Sequence, residues 1–454
     1  MKVYDITIFG ATGLTGKYVV EQFYELASSS SQRDHLPTNF KWAIAGRAEG
    51  KLTDIIFELE NKYPKANIQR PAILVANIVR REQLDTMAQQ SKVLINAVGP
   101  YRFMGEYVIR SCVEQQCHYV DVSGEPEFVE RMQRTYHKQA SNKNITIVHS
   151  CGVDSVPTDM SVLWIKQLYT AQGWTPTQIE MFFKLHSGNA GLRAGYATYE
   201  SAVHGFGSVE LLREIRKASE LAQLPKTIGP KLKFHKRLTW DKQYGYHVPF
   251  VFADPSIVRL SQQLFLTGYA NTTASTKKSP SSPNKNNNNK AVMPPTVQFS
   301  AYFLIPSFWI AMLYYIYGFI FTFLASSPWG RQLLLAYPER FSAGVFSKEH
   351  PTQEQLQQTS FEIIFRSKGY QTVSLGNIDP LKTPLNAELT TVVYGPEPGY
   401  VATPRIVVQC ALTILKDSEM DKIPYGVLTP SAAFWNTDLI QRLNSVGVHF
   451  EEKY

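Results

Sequence analysis

The feature that most constrains this chain is the stretch of residues 5–20, which predicts a strand, a glycine turn and a helix. Residues 6–9 form a short apolar run, as in a strand that is buried on both faces of a parallel sheet. Glycines spaced by three follow at once, and a helical pattern begins behind them. Such a turn lets the backbone approach a pyrophosphate, which the helix N-terminus attracts through its free N–H groups. We therefore predict a dinucleotide site at Gly10, Thr12, Gly13, Leu14, Thr15 and Gly16; a glycine-rich loop without a ligand is the alternative.

The second predicted strand, residues 40–45, bears on which dinucleotide would bind. In an NAD-binding unit an acidic side chain at the end of this strand holds the ribose hydroxyls. Here the strand is followed by Gly46 and Arg47. A guanidinium can accommodate a 2′-phosphate with its forked N–H groups, and this phosphate would repel a carboxylate. Arg47 therefore favours NADP(H) over NAD(H), and a surface arginine without a ligand is the alternative.

Strands and helices continue to alternate up to residue 150. The fourth strand ends in a turn of small residues, and in a doubly wound sheet such a carboxyl end faces the cofactor. We predict that this turn lies at the nicotinamide half; an ordinary strand–turn–helix junction is the alternative. Six alternating strands predict a complete Rossmann-type dinucleotide-binding domain over residues 1–150. The turn residues assigned to the cofactor are Asn96, Gly99, Pro100 and Tyr101.

Composition excludes several classes of protein. The net charge is +8, but the basic residues are scattered and form no long block, so nucleic acid is a poor candidate for a partner. The four cysteines include no C-x-x-C pair, which argues against a disulfide framework and a zinc site. The first predicted strand begins within about five residues, which leaves no room for a signal peptide. We expect no metal and a body that lies in the cytosol.

The second half of the chain has a different pattern. Strand-like runs at residues 178–186, 361–365, 371–375 and 389–394 predict a second α+β domain with a largely antiparallel sheet, formed by residues 151–270 and 355–394. A long helix is predicted over residues 190–217, and Thr158 or Asp159 is predicted to cap the helix that begins near Met160. Residues 395–454 predict helices and a strand that return to the core, with Cys410 as a core residue. A substrate cleft is expected between the two domains.

Two segments between these blocks stand apart. Residues 271–296 are polar and repetitive, which predicts a disordered linker. Residues 297–330 contain no charge before Arg331 and form a hydrophobic insertion longer than the ~20 residues that span a bilayer. Basic residues before the run and Arg331 after it fit a placement of both chain ends in the cytosol. We therefore predict a hairpin or shallow helix that turns near Pro306 or Gly318 within one leaflet or a lipid-droplet monolayer. The alternatives are a buried helix pair, a homodimer interface and a true span.

Taken together, the motifs resemble those of the saccharopine dehydrogenase-like oxidoreductase family. The matching stretches are residues 10–16, 45–47, 96–101, 119–125, 152–159 and 425–433. The resemblance implies a nucleotide-binding fold, an NADP-type cofactor, an oxidoreductase activity and an association with lipid droplets or other membranes. Bacterial relatives that act as enoyl reductases of complex-lipid synthesis imply a lipid substrate.

The leading prediction is an α/β protein that transfers hydride between NADP(H) and a lipid or other apolar carbonyl or enoyl compound at a lipid surface. One alternative is a nucleotide-binding lipid-droplet protein with a structural or sensing role and no catalysis. A second is a soluble dehydrogenase of the saccharopine type, against which the hydrophobic insertion argues. The sequence identifies no proton donor: Tyr101, His149 and Asp154 lie near predicted strand ends, but no partner for them can be deduced.

Overall fold

The computed structural model describes residues 2–226, 228–272, 294–371 and 383–453. Most of the predicted linker and all but the first residue of the predicted strand at 371–375 lie outside these ranges. The strands are β1 (Tyr4–Phe9), β2 (Trp42–Gly46), β3 (Ala72–Val75), β4 (Ser91–Asn96), β5 (His118–Asp121), β6 (Thr146–Val148), β7 (Thr175–His186), β8 (Ala194–Gly195), β9 (Thr239–Asp241), β10 (Gly245–Pro249), β11 (Gln298–Ile305), β12 (Phe346–Ser347), β13 (Ser360–Tyr370), β14 (Ala387–Pro396), β15 (Gly426–Leu428) and β16 (His449–Lys453).

The α-helices of the described residues are numbered separately along the chain. They are α1 (Leu14–Ser28), α2 (Glu49–Lys62), α3 (Arg81–Gln90), α4 (Tyr101–Glu114), α5 (Pro126–Asn142), α6 (Val156–Ala171), α7 (Tyr196–Phe206), α8 (Val209–Lys217), α9 (Asp254–Thr267), α10 (Phe308–Ala325), α11 (Pro328–Ala336), α12 (Pro338–Phe341), α13 (Gln353–Gln358), α14 (Thr403–Asp417), α15 (Pro430–Phe434) and α16 (Leu439–Ser445).

The first sheet is parallel throughout its described strands. Its order is β15-β6-β5-β4-β1-β2-β3, so β1 lies between β4 and β2 and the order reverses there. This reversal is the point at which a doubly wound sheet opens a crevice at the carboxyl ends of its strands. The predicted doubly wound sheet is confirmed, and β15 adds a strand from the far end of the chain.

The core of the first sheet is apolar on both faces. Ile6 and Ile8 of β1 are fully buried, as the uninterrupted apolar run of that strand predicts. The C-terminal helix α14 packs against α1, β4 and β5, and Cys410 within it is fully buried. Cys410 is therefore a core residue, as the sequence predicts.

The second sheet has the order β16-β14-β13-β7-β11-β10-β9. Its strand pairs are antiparallel except β7 with β11, so the predicted largely antiparallel sheet is confirmed. The single long helix predicted over residues 190–217 is wrong. The short strand β8 occupies the start of that stretch, and α7 ends before Gly207, after which α8 begins.

The apolar run after residue 296 is divided between a strand and a helix. Residues of β11 pair with β7 on one side and with β10 on the other, so the strand belongs to the interior of the second sheet. Pro306 lies at the bend between β11 and α10, but Gly318 lies inside α10, and the predicted turn there is wrong. Neighbouring strands satisfy the backbone of β11, which is why an uncharged stretch need not enter a lipid phase.

The start of α6 also differs from the prediction. The helix begins at Val156, and Thr158 and Asp159 lie inside its first turn instead of capping it. The Thr158 hydroxyl donates to Asp254 of α9. A carboxylate oxygen of Asp159 accepts from the Ser261 hydroxyl and from the backbone N–H of Ser431, both at 2.8 Å. These side chains are buried because they join α6 to α9 and α15.

Candidate functional site

The turn after β1 depends on glycine at two positions. Gly10 has φ of +90°, and a Cβ there would lie 2.7 Å from the Val98 side chain. A Cβ on Gly16 would lie 2.0 Å from the carbonyl oxygen of Gly10, because the helix passes directly over the turn. The spacing of these glycines therefore brings the N-terminus of α1 against the carboxyl end of β1, as phosphate-binding turns require.

The N-terminus of α1 is open to an anion. The helix follows Gly13 without a side-chain cap, and its first turn contains no acidic residue. Thr12 and Gly13 are exposed, and Leu14 and Thr15 are partly exposed. The first N–H groups of a helix lack partners within the helix, so here they and the helix dipole would favour a pyrophosphate.

Arg47 lies beside this turn. It directly follows β2, it is exposed, and its guanidinium makes no hydrogen bond or ion pair with another described residue. A Cβ on the preceding Gly46 would lie 3.6 Å from the Thr12 hydroxyl, which places the ends of β1 and β2 side by side. A cation that is held here without a partner fits a 2′-phosphate next to the ribose.

Some residues of the turn after β4 are buried, and others are exposed at the edge of the sheet. Asn96 is fully buried; its side-chain oxygen accepts from the Val98 N–H at 3.0 Å and its amide donates to the Tyr119 hydroxyl at 3.0 Å. The Tyr101 hydroxyl donates to the Asn96 carbonyl at 2.9 Å. Gly99 is exposed. Asn96 and Tyr101 therefore fix the shape of the turn from inside, and Gly99 is the residue that presents its backbone outward.

His149, one of the three residues near strand ends, is also buried. Its Nδ1 lies 2.7 Å from a carboxylate oxygen of Asp121, and both side chains are fully buried. Burial alone would raise the pKa of Asp121, but His149 and hydrogen bonds from Ser123 and Ser150 hold that pKa below its ordinary value. The pair joins the ends of β5 and β6, and neither side chain is accessible to solvent. Of Tyr101, His149 and Asp154, only Asp154 is exposed.

Sequence reasoning missed Glu125, which links three elements at this edge. Its carboxylate accepts from the N–H groups of Tyr101 and Arg102, each at 3.1 Å, and pairs with the Arg102 guanidinium at 2.8 Å. The Ser201 hydroxyl of α7 donates to the same carboxylate at 3.1 Å. Glu125 therefore satisfies the N-terminus of α4 and ties it to α7. Its position before Pro126 resembles an ordinary helix start, so the sequence carried no signal for this role.

The residues at this edge fit a dinucleotide. The glycine turn leaves room for a backbone approach, the N-terminus of α1 is open, and an unpaired arginine stands on the adenosine side. Among the residues that the structure describes, no group of three histidine, cysteine, aspartate or glutamate side chains is placed to hold a metal ion.

Comparisons with known proteins identify the nucleotide-binding domain and relatives of the whole chain. Residues 6–148 match the family model described as the saccharopine dehydrogenase NADP binding domain. The chain is 36% identical to the Homo sapiens saccharopine dehydrogenase-like oxidoreductase, over 98% of this chain and 96% of that protein. It is 33% identical to an Arabidopsis thaliana protein named "Probable mitochondrial saccharopine dehydrogenase-like oxidoreductase", over 99% and 96% of the two chains. It is 30% identical to a Caenorhabditis elegans protein named "Lipid droplet localized protein", over 99% and 98%.

The identity to these relatives extends over both domains and not only over the nucleotide-binding sheet. The NADP type of cofactor, which Arg47 favours, agrees with the matched domain. The chain therefore belongs to the saccharopine dehydrogenase-like oxidoreductase family.

Proposed function

We propose that this oxidoreductase transfers hydride between NADP(H) and a lipid or other apolar carbonyl or enoyl compound, while its body rests on a lipid surface. The observation that carries the lipid part of the proposal is α10. This helix is long and apolar enough to cross a membrane by length and composition, yet only 17% of it is buried inside the protein. The name of the worm relative, which refers to lipid droplets, supports the same proposal.

The exposed face of α10 is rich in large aromatic side chains. Trp309, Phe319 and Phe323 are 76%, 73% and 70% exposed. An apolar patch of this kind on a soluble body marks an interaction surface. Lys236 and Arg237 are exposed and directly precede Leu238, whose N–H donates to the Tyr315 hydroxyl of α10. Aromatic side chains beside basic ones are typical of helices that lie in a lipid interface.

The packing of α10 favours a helix that lies flat. At about 27 Å, it is long enough to cross most of a hydrocarbon core. However, it follows directly on a strand of the second sheet and is followed by α11. Near its start the Phe308 ring contacts the Tyr246 ring of β10, and near its end Phe321 contacts α7. Both ends are thus held against the same body, so the exposed face would enter one leaflet or a droplet monolayer.

The same helix lies close to the cofactor edge. The Phe321 ring of α10 contacts the rings of Tyr199 and Phe206 on α7, with centroids 5.9 and 5.8 Å apart. On its other side α7 binds Glu125 through Ser201. A single helix therefore separates the proposed lipid surface from the turn after β4, where the nicotinamide half is predicted. The proposed lipid surface and the predicted nicotinamide side are therefore neighbours in the fold.

The proposed cofactor residues are those that lie at the carboxyl ends of β1, β2 and β4. Bound NADP(H) would supply or accept the hydride, and the chain holds it in place. The glycine turn and the start of α1 would bind the pyrophosphate, Arg47 the 2′-phosphate, and the turn after β4 the nicotinamide half. The proposed pyrophosphate residues are Gly10, Thr12, Gly13, Leu14, Thr15 and Gly16. On the nicotinamide side Gly99 and Pro100 would face the cofactor, while the buried Asn96 and Tyr101 would hold the shape of the turn.

Reversing the charge at Arg47 tests the cofactor assignment. Because a carboxylate repels the 2′-phosphate and can accept from ribose hydroxyls, Arg47→Asp should weaken NADPH binding at least about tenfold and strengthen NADH binding. Lys65→Asp is the matched control, since Lys65 is an exposed cation of the same domain that lies before β3, at the opposite edge of the sheet. Fluorescence titration of both nucleotides provides the measurement. Equal NADPH affinity in wild type and Arg47→Asp would refute the role of Arg47.

Substituting the exposed aromatic residues of α10 tests the lipid surface. The combined variant Trp309→Ser, Phe319→Ser and Phe323→Ser should lower binding to phosphatidylcholine-coated triolein droplets at least about tenfold, since each buried aromatic ring contributes on the order of 1–2 kcal/mol. Flotation of droplets measures the bound fraction. Surface substitutions are preferable to deleting residues 297–325, because that deletion would remove β11 from the second sheet.

The control for this experiment is Phe57→Ser. Phe57 is 65% exposed but lies on α2, in the nucleotide-binding domain. It should leave droplet binding unchanged. If the triple variant floats as the wild type does but changes from dimer to monomer in sedimentation, α10 is an interface between copies of the chain and the lipid surface is refuted.

A further inference from the structure

Asp154 stands out in the turn between β6 and α6. The turn is fixed from both sides: the Cys151 N–H donates to the Asp121 carbonyl at 2.7 Å, and the Val153 N–H donates to the Thr403 hydroxyl at 3.1 Å. Every other residue of the turn from 151 to 155 is buried, whereas Asp154 is exposed. A rigid backbone therefore presents one carboxylate outward.

The carboxylate of Asp154 points toward the cofactor edge. One of its oxygens lies 3.4 Å from where a Cβ on Gly124 would stand, and Gly124 is an exposed residue of the turn after β5. The Asp154 carboxylate makes no hydrogen bond or ion pair with another described residue. Since the strand order reverses at β1, the adenosine half of a dinucleotide falls on the β2 side and the nicotinamide half on the β4 and β5 side. Asp154 is therefore on the nicotinamide side.

A second carboxyl group, that of Asp254, interacts electrostatically with Asp154. Asp254, at the start of α9, is 1% exposed, and while one of its oxygens accepts from Thr158, the other has no partner. Burial, together with the negative charge of Asp154, raises the pKa of Asp254 well above its ordinary value. An unpartnered, buried carboxyl oxygen at this place is costly for stability and indicates a site that is held for chemistry.

The surroundings of Asp154 also raise its pKa above the ordinary value of an aspartate. Burial raises the pKa of Asp154 to about 6, although water reaches the side chain.

The other charged groups around this turn are paired or engaged elsewhere. Asp159 of α6, whose pKa burial raises to about 6, is bound by Ser261 and Ser431. Lys166 is buried further along the same helix, and burial lowers its pKa to about 7. Glu125 is held by Arg102. Asp154 is an exposed carboxylate of this edge that has no partner among the described residues.

We propose that Asp154 is the proton donor and acceptor of the hydride-transfer reaction. The inference rests on the proposed function. In the reducing direction the substrate carbon receives the hydride of bound NADPH, and the π-electron pair of the C=O or C=C bond moves to the neighbouring atom. That atom takes the proton from the Asp154 carboxylic acid, whose O–H bond breaks, and water returns a proton to the carboxylate. In the oxidising direction Asp154 accepts the proton.

The test measures whether Asp154 faces the nicotinamide ring, and it needs no knowledge of the substrate. The ring is positively charged in NADP⁺ and neutral in NADPH, so an ionised carboxylate beside it favours NADP⁺. As the pH rises from 5 to 8 and Asp154 ionises, the ratio of the NADPH Kd to the NADP⁺ Kd should increase about fivefold or more in the wild type, with a midpoint near 6. The 2′-phosphate titrates equally in both nucleotides and cancels in this ratio.

Two variants decide the assignment. Asp154→Asn should make the ratio independent of pH while both nucleotides still bind. Asp254→Asn leaves the Asp154 carboxylate in place, so the pH-dependent increase should remain in this control variant. An increase that persists in Asp154→Asn, or one that disappears only in Asp254→Asn, would overturn the role of Asp154. If the wild type binds neither nucleotide, the proposed function fails as well; if it binds both with a flat ratio, only this inference fails.

Discussion

Two helices of this protein are rich in apolar residues and differ in what surrounds them. In α14, buried residues occupy most positions from Pro404 to Ile414. In α10, which is longer and carries no charge, only Ala311 and Ala325 are buried. Apolar composition alone therefore does not decide which helix enters the core.

The difference lies in the partner surface. α14 lies between α1 and the face of the first sheet at β4 and β5, so neighbours cover it on several sides. Two of its charged residues lie near the ends and have partners: Arg405 donates to the Val446 carbonyl at 3.0 Å, and Lys416 pairs with Asp438 at 3.1 Å. Gln409 and Thr413 in its middle are buried with the apolar residues. α10 packs with one stripe on α7 and α11, and no described element covers the opposite face. An exposed apolar face of this size on a helix with an apolar residue at almost every position is typical of an interaction surface.

Placing one charge in each helix gives the largest expected difference between them. Val408 of α14 is fully buried, and Val408→Asp should lower the free energy of unfolding by about 3–5 kcal/mol, because the carboxylate would be buried without a partner. Phe319→Asp in α10 should change it by less than about 0.5 kcal/mol, because the side chain is already in water. Urea unfolding of the two variants measures both values.

Similar decreases in the free energy of unfolding of the two variants would contradict the difference between α14 and α10. They would mean that α10 is covered in solution. Conversely, droplet binding should fall in Phe319→Asp and remain unchanged in the folded fraction of Val408→Asp. The pair of variants thus separates a contribution to folding from a contribution to surface binding.

The sequence predicts the first sheet well because its signals are local. Apolar runs followed by glycine or small-residue turns mark β1, β2 and β4. The glycine turn and Arg47 could be placed at one edge because the carboxyl ends of parallel strands meet there. The strand β15 was missed because it is only three residues long and pairs with β6 from the far end of the chain.

The rest of the site depends on contacts between residues that are distant in the sequence. The pair of Asp121 and His149 spans 28 positions and the contact of Glu125 with Ser201 spans 76. Asp154 depends on distant residues as well, because Asp121 and Thr403 fix the turn in which it lies. The sequence alone does not distinguish it from an ordinary turn residue. In residues 297–325 the absence of charge concealed the boundary between β11 and α10, because β11 has apolar residues on both faces and no alternation marks it as a strand.

The smallest expected effect concerns the glycine within α10. Gly318 is exposed, and no atom lies within 4 Å of where its Cβ would stand. Gly318→Ala should therefore stabilise the helix by about 0.5–1 kcal/mol, which corresponds to about two- to fivefold slower hydrogen exchange of its central amides. The reverse substitution in α14, Ala411→Gly, removes a fully buried methyl group and should lower the free energy of unfolding by about 1–2 kcal/mol. Faster exchange in Gly318→Ala would mean that a neighbour occupies the space beside Gly318, and a dependence of that exchange on protein concentration would identify the neighbour as a second copy of the chain.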